Sequence, residues 1–159
     1  MRAALVLFLL LAQVAHAGAY KSKAGKVSVD VPTKWTVTAT DELVRAASPD
    51  NQIAFVFWVV DSPDVKPALT KLEGELYSSI QGLKWVDNAK KIKIHGLPAT
   101  WVEGVGVSSR STQLDVLVVV AGPTASKKGV ILLAVVDHDK LAAQRSTIQG
   151  IFQSLRPAK

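Results

Sequence analysis

Gln52-Ile53-Ala54-Phe55-Val56-Phe57-Trp58-Val59-Val60 carries apolar side chains at eight consecutive positions, 53 to 60. Side chains alternate across a strand, so Ile53, Phe55, Phe57 and Val59 share one face and Ala54, Val56, Trp58 and Val60 share the other. Both faces are apolar, and a strand of that kind must be covered on both sides. Residues 114–121 and 130–136 read the same way. Three such strands call for a layer over each face of one sheet, and argue against a sheet with one wet side.

Working outward, two segments have the periodicity to supply those layers. Residues 67–81 place Leu69, Leu72, Leu76 and Ile80 at helical spacing, with Asp64 as the expected cap, Pro67 in the first turn and Gly82 as the stop. Residues 140–155 place Leu141, Ile148, Ile151, Phe152 and Leu155 on one stripe, with Asp139 as cap and Pro157 just beyond. Shorter strands are expected at 27–31, 35–40 and 43–47, with Ser48-Pro49-Asp50-Asn51 as a hairpin turn. A further hairpin runs through 86–94, turns at His95-Gly96-Leu97-Pro98 and returns through 99–107. Strands joined by short turns pair antiparallel. The expected fold class is therefore α+β: a mainly antiparallel sheet covered by helices on both faces, an α/β/α sandwich.

The first seventeen residues read differently. Met1-Arg2 is a positive start, residues 3–12 are an unbroken apolar run, and Ala15-His16-Ala17 is the small-x-small pattern of a processing site. This is the pattern of a secretory signal peptide cleaved after Ala17; the run is shorter than the ~20 residues of a membrane span. The expected organisation is a signal peptide over 1–17, a flexible basic leader over 18–25 and a single domain over 26–157. The expected location is periplasmic or secreted.

The whole chain has 159 residues, 19 Lys+Arg, 13 Asp+Glu and no Cys, for a formal charge of +6. Cleavage removes Arg2 and leaves +5. The absence of Cys excludes disulfides, thiolate zinc sites and thiol nucleophiles, and with them a Cys-linked lipid anchor. At 48% hydrophobic and 20% charged, the chain is not a disordered one.

Residues able to do chemistry are few. Asp137-His138-Asp139 is the one dense run of ligand-type side chains and could offer a divalent cation two carboxylates and a nitrogen. It also lies where a strand hands over to a helix, and three consecutive residues converge only in a special loop. His95 sits in a turn, and Glu103 lies in a strand near Trp101; either could belong to a hydrolase site. Glycosidase chemistry needs two carboxylates across a cleft, and only Glu103 presents itself. The chain has no G-x-S-x-G elbow, no H-E-x-x-H and no Gly-rich phosphate loop. No catalytic residue, metal or cofactor is assigned.

Lys84, Lys90, Lys91 and Lys93 form a basic run. It reads either as a patch for an acidic partner or as charges guarding an edge strand against aggregation. The lysines lack aromatic interleaving, so nucleic acid is not expected.

Several of these segments resemble one family. Val29-Asp30-Val31-Pro32-Thr33-Lys34-Trp35 is similar to the opening strand and P-x-x-W turn of the PsbP-like α/β/α sandwich proteins, a group that includes photosystem extrinsic PsbP proteins, Ran-binding Mog proteins and bacterial DcrB-type exported proteins. Ile94-His95-Gly96-Leu97-Pro98-Ala99 resembles the group's central hairpin, and Phe152-Gln153-Ser154-Leu155 the end of its closing helix. The resemblance spans residues 26–157. It implies a non-catalytic accessory or binding module whose partner varies from member to member. The reading is an exported accessory protein of the cell envelope that binds a protein or an envelope component. A small-ligand or metal-binding protein and a hydrolase are the alternatives.

Overall fold

The computed structural model describes residues 18–86 and 89–159; the expected signal peptide lies outside them. In chain order the elements are β1 (Ala19–Ser22), β2 (Val27–Asp30), β3 (Thr36–Ala39), β4 (Leu43–Ala47), β5 (Ile53–Val60), α1 (Lys66–Ser79), β6 (Gln81–Trp85), β7 (Lys90–Ile94), β8 (Leu97–Val107), β9 (Gln113–Ala121), β10 (Gly129–Asp137), α2 (His138–Gln153) and β11 (Arg156–Pro157). The main sheet has the order β3-β4-β5-β10-β9-β8-β6, and β7 pairs with the other half of β8. All of its strand pairs are antiparallel. A second sheet pairs β1 and β11 on either side of β2.

The three doubly apolar strands lie side by side at the centre, where their sequence requires them to be. Directly opposite residues share a face, so the register can be followed across the sheet. Phe57 lies opposite Leu132, and Leu132 opposite Val119. These join Phe55, Ile148, Ile151 and the fully buried Phe152 in one cluster. Trp58 lies opposite Ile131, and Ile131 opposite Val120. These belong to the second cluster with Val116, Leu133 and Leu76 of α1. The Phe152 ring is 6.0 Å from Phe55 and 5.3 Å from Trp101, the latter edge-on, a favoured aromatic geometry.

Three local readings are revised. Residues 18–25 do not form a free leader. Ala19–Ser22 pairs with Val27–Asp30, and the turn between them is held by the Asp41 carboxylate, which accepts from the backbone N–H of Lys23 at 2.7 Å and of Ala24 at 3.0 Å. Those bonds also hold the Asp41 carboxyl below its ordinary pKa. Helix α2 starts at His138, two residues early, and its cap position is Asp137, with no side-chain capping bond. Helix α1 ends at Ser79, and the chain turns straight into β6, where Gly82 adopts φ +60° at a register shift against β8 instead of stopping a helix.

The hairpin turn at His95-Gly96 has two residues with positive φ, 46° and 83°, between Ile94 and Leu97, which pair directly. This matches the tight turn whose twist suits flanking strands, with glycine at its second central position. Gly129 serves a different need. A Cβ there would lie 2.0 Å from Cγ1 of Val65, so its absence lets the β5–α1 loop sit down on the sheet. The same loop is pinned by a 2.8 Å bond from Gly129 N–H to the Ser62 carbonyl.

Candidate functional site

Glu103 lies on β8 on the α2 side of the sheet. Its Oε1 accepts from the Trp101 indole N–H at 2.9 Å and from Arg145 Nη1 of α2 at 3.0 Å. Partial burial pushes the Glu103 carboxyl up, but the bonds from Arg145 and Trp101 outweigh it and hold the group below its ordinary pKa. The groove here encloses about 220 Å³ and is lined by Lys90, Trp101, Glu103, Arg145, Gln149 and Phe152 among others. Among the described residues that line it, Glu103 is the only carboxylate. A group kept ionised and paired in this way is a poor general acid, because a useful one needs its pKa raised toward neutrality.

Asp137, His138 and Asp139 do not converge. The His138 ring turns toward β9, where its Nδ1 is 2.8 Å from Oδ2 of the buried Asp115. Asp139 faces solvent in the first helical turn. The strand-to-helix transition is the reason: successive side chains leave the backbone in different directions. Among the described residues no group of three or more His, Cys, Asp or Glu side chains is placed to hold a metal ion. The cleft beside His138 is lined by Gly82, Lys84, Val105, Gly106, Val107, Gln113 and Leu114 and contains no hydroxyl or thiol. Among the described lining residues no Ser, Thr or Cys stands ready for the His138–Asp115 pair to activate. His95 is committed as well: its Nδ1 donates to the Leu155 carbonyl at 2.9 Å and ties the hairpin to the end of α2.

The four lysines are divided between the two faces. Lys84 lies opposite Val105 and Lys90 opposite Trp101, on the side of Glu103 and α2. Lys91 lies opposite Thr100 and Lys93 opposite Pro98, on the side of α1. Lys91 and Lys93 line a cavity of about 500 Å³ together with Pro63, Val65, Thr100 and Val120.

Two of these partners carried little signal in the sequence. Arg145 is 42 residues from Glu103, and no spacing rule connects a strand acid to a helix cation across that distance. Asp115 could have been singled out as the one acid in an otherwise apolar strand, 114–121.

Comparison with known proteins bears on the fold. No protein-family model matches the chain, and no curated protein matches it in sequence. Solved structures do match. The solution structure of the cyanobacterial PsbP, CyanoP, from Synechocystis sp. PCC 6803 superposes with a TM-score of 0.66 at 12% identity, covering 90% of this chain and 93% of that one. LpqN of Mycobacterium tuberculosis, described as involved in cell envelope biogenesis, gives 0.57 at 15% identity over 84% and 83%. The Saccharomyces cerevisiae Ran-binding protein Mog1p gives 0.55 at 10% identity over 92% and 97%. The protein therefore has a PsbP-like, Mog-like fold.

Proposed function

We propose that this chain is an exported, non-catalytic accessory protein that binds another protein or a component of the cell envelope. The observation that carries the reading is that its chemically capable side chains are spent on each other. Glu103 is held by Arg145 and Trp101, His138 by Asp115, and His95 by a backbone carbonyl. The shared fold supports it, since one protein with that fold is named for binding Ran and another for cell envelope biogenesis. Export rests on the pattern of residues 1–17. We read the layers as one helix over each sheet face, because Phe152 of α2 and Leu76 of α1 belong to separate clusters.

The test is expression of the full chain with a C-terminal tag in its native cell. N-terminal sequencing of the envelope fraction should begin at Gly18. Chemical cross-linking there should yield a specific adduct that Glu103→Gln leaves intact. A chain that keeps Met1 and stays in the cytoplasm, or one that yields no specific adduct under several conditions, overturns the reading.

A further inference from the structure

On the α1 side of the sheet, two cross-strand pairs form a continuous apolar floor: Thr100 opposite Val120, and Val102 opposite Val118. Two cavities open onto this floor, and Val120 lines both. The first is the cavity of about 500 Å³ between the β5–α1 loop and β7. The second, of about 230 Å³, runs under α1 and is lined by Leu69, Leu72, Glu73, Leu76 and Trp85. Ligand sites are typically concave, mostly apolar, roughly 300–1,000 Å³ in size and furnished with a few placed polar groups. The trough has each of these properties.

Its charges are placed by end. Lys91 and Lys93 line the first cavity, and among the described residues no acidic side chain lines it and neither lysine has an ion-pair partner. Glu73 stands at the opposite end. One wall is fixed in place, since Val65 seats against Gly129 and the loop is pinned through Ser62. The protein's own side chains do not complete the other end. Leu69 and Leu72 stay half-buried, and the buried Trp85 indole N–H has no hydrogen-bond partner among the described residues.

We propose that this trough binds a single-chain anionic amphiphile, with its acyl chain on the Val102–Val118–Val120 floor beneath α1 and its anionic end at Lys91 and Lys93. Charge complementarity sets the orientation: the lysines attract the head group and Glu73 repels it. A fatty acid and a lysophospholipid share this chemistry. The inference concerns the purified chain alone and does not depend on the protein partner or on export.

The test uses delipidated protein titrated with laurate below its micellar concentration, followed by calorimetry and tryptophan emission. Saturable one-to-one binding is expected. Lys91→Glu with Lys93→Glu should weaken it at least about tenfold, and raised salt should weaken it too. Lys91→Gln with Lys93→Gln should fall between. Thr100→Trp, which fills the floor, should abolish binding while the thermal transition persists. Lyso-phosphatidylglycerol bound in place of laurate, with the same lysine dependence, also supports the site and identifies a phospholipid source. Several results overturn it: no saturation with either lipid, equal affinity in the Lys→Glu double variant, or equal affinity for neutral dodecyl maltoside. Binding of an acidic Glu-Val repeat peptide but not of either lipid overturns it as well.

Discussion

On the α2 side of the main sheet, Ile148, Ile151 and Phe152 are all buried, and Phe152 is wedged between Phe55 and Trp101. On the α1 side the helix fully buries Leu76 alone; Leu69 and Leu72 stay half-buried, and Tyr77 is 52% exposed. The difference begins in the helices. The stripe of α2 carries bulky side chains, and Leu155 closes it just past the end. Each helix carries one interior glycine, Gly74 and Gly150, but α1 has no acidic residue in its first turn to favour its dipole, whereas α2 has Asp139. Two sheet glycines also shape this side. A Cβ at Gly104 would meet the Trp85 ring at 2.8 Å, and one at Gly106 would meet Ile80 at 2.3 Å. Both faces carry buried core, but the α2 side buries its helix more completely, and the α1 side leaves more apolar surface exposed.

The comparison makes graded predictions. The largest effect belongs to Phe152→Ala, which should cost about 3–5 kcal/mol through lost burial and a cavity facing Phe55 and Trp101; urea unfolding measures it. Gly129→Ala should cost about 1–3 kcal/mol, because the new Cβ must displace Val65. The same variant should also distort the lysine end of the trough, which laurate titration would register. Leu72→Ala should cost only about 1 kcal/mol, since much of that side chain is already wet. If Leu72→Ala proved as damaging as Phe152→Ala, the contrast between the faces would collapse.

The smallest effect concerns Glu103. Its pKa is lowered by folding, so the Arg145 latch contributes above the ordinary carboxylate range and its contribution is lost as pH falls through the folded value. The group is partly exposed, so the contribution should stay under about 1 kcal/mol. The NMR titration of the Glu103 carboxyl should have its midpoint below the ordinary glutamate value, and Arg145→Gln should return it toward that value. A midpoint above it would mean that burial outweighs the latch.

Much of the scaffold was legible in local pattern. The strand expected at 43–47 is β4, and those expected at 52–60, 114–121 and 130–136 agree with β5, β9 and β10 to within a residue at each end. Double-sided apolar alternation leaves little choice, because an unpaired strand of that kind would expose two greasy faces. The errors fall where pairing, and not a segment's own pattern, decides. Ala19–Ser22 looks like a leader until β2 pairs with it. The short β11, which carries Arg156, lies against β2, and Arg156 bonds Asp30 at 2.8 Å across 126 residues. The candidate site was less legible. His95, Glu103 and His138 could be named, but not that they meet Leu155, Arg145 and Asp115.

Taken alone, the sequence determined that three central strands had to be buried on both faces, that two amphipathic helices were available, and that no thiol chemistry was possible. These follow from side-chain period and composition, which are local. Only the tertiary structure decided that Glu103 is latched by Arg145, that His138 turns to Asp115 and away from its acidic neighbours, and that the face shared by Lys91 and Lys93 is the one that carries Thr100 and Val120. Each outcome depends on strand register and on which helix side chains meet the sheet. Register is set by the packing of the whole sheet, and a shift of one residue would move every one of those side chains to the opposite side.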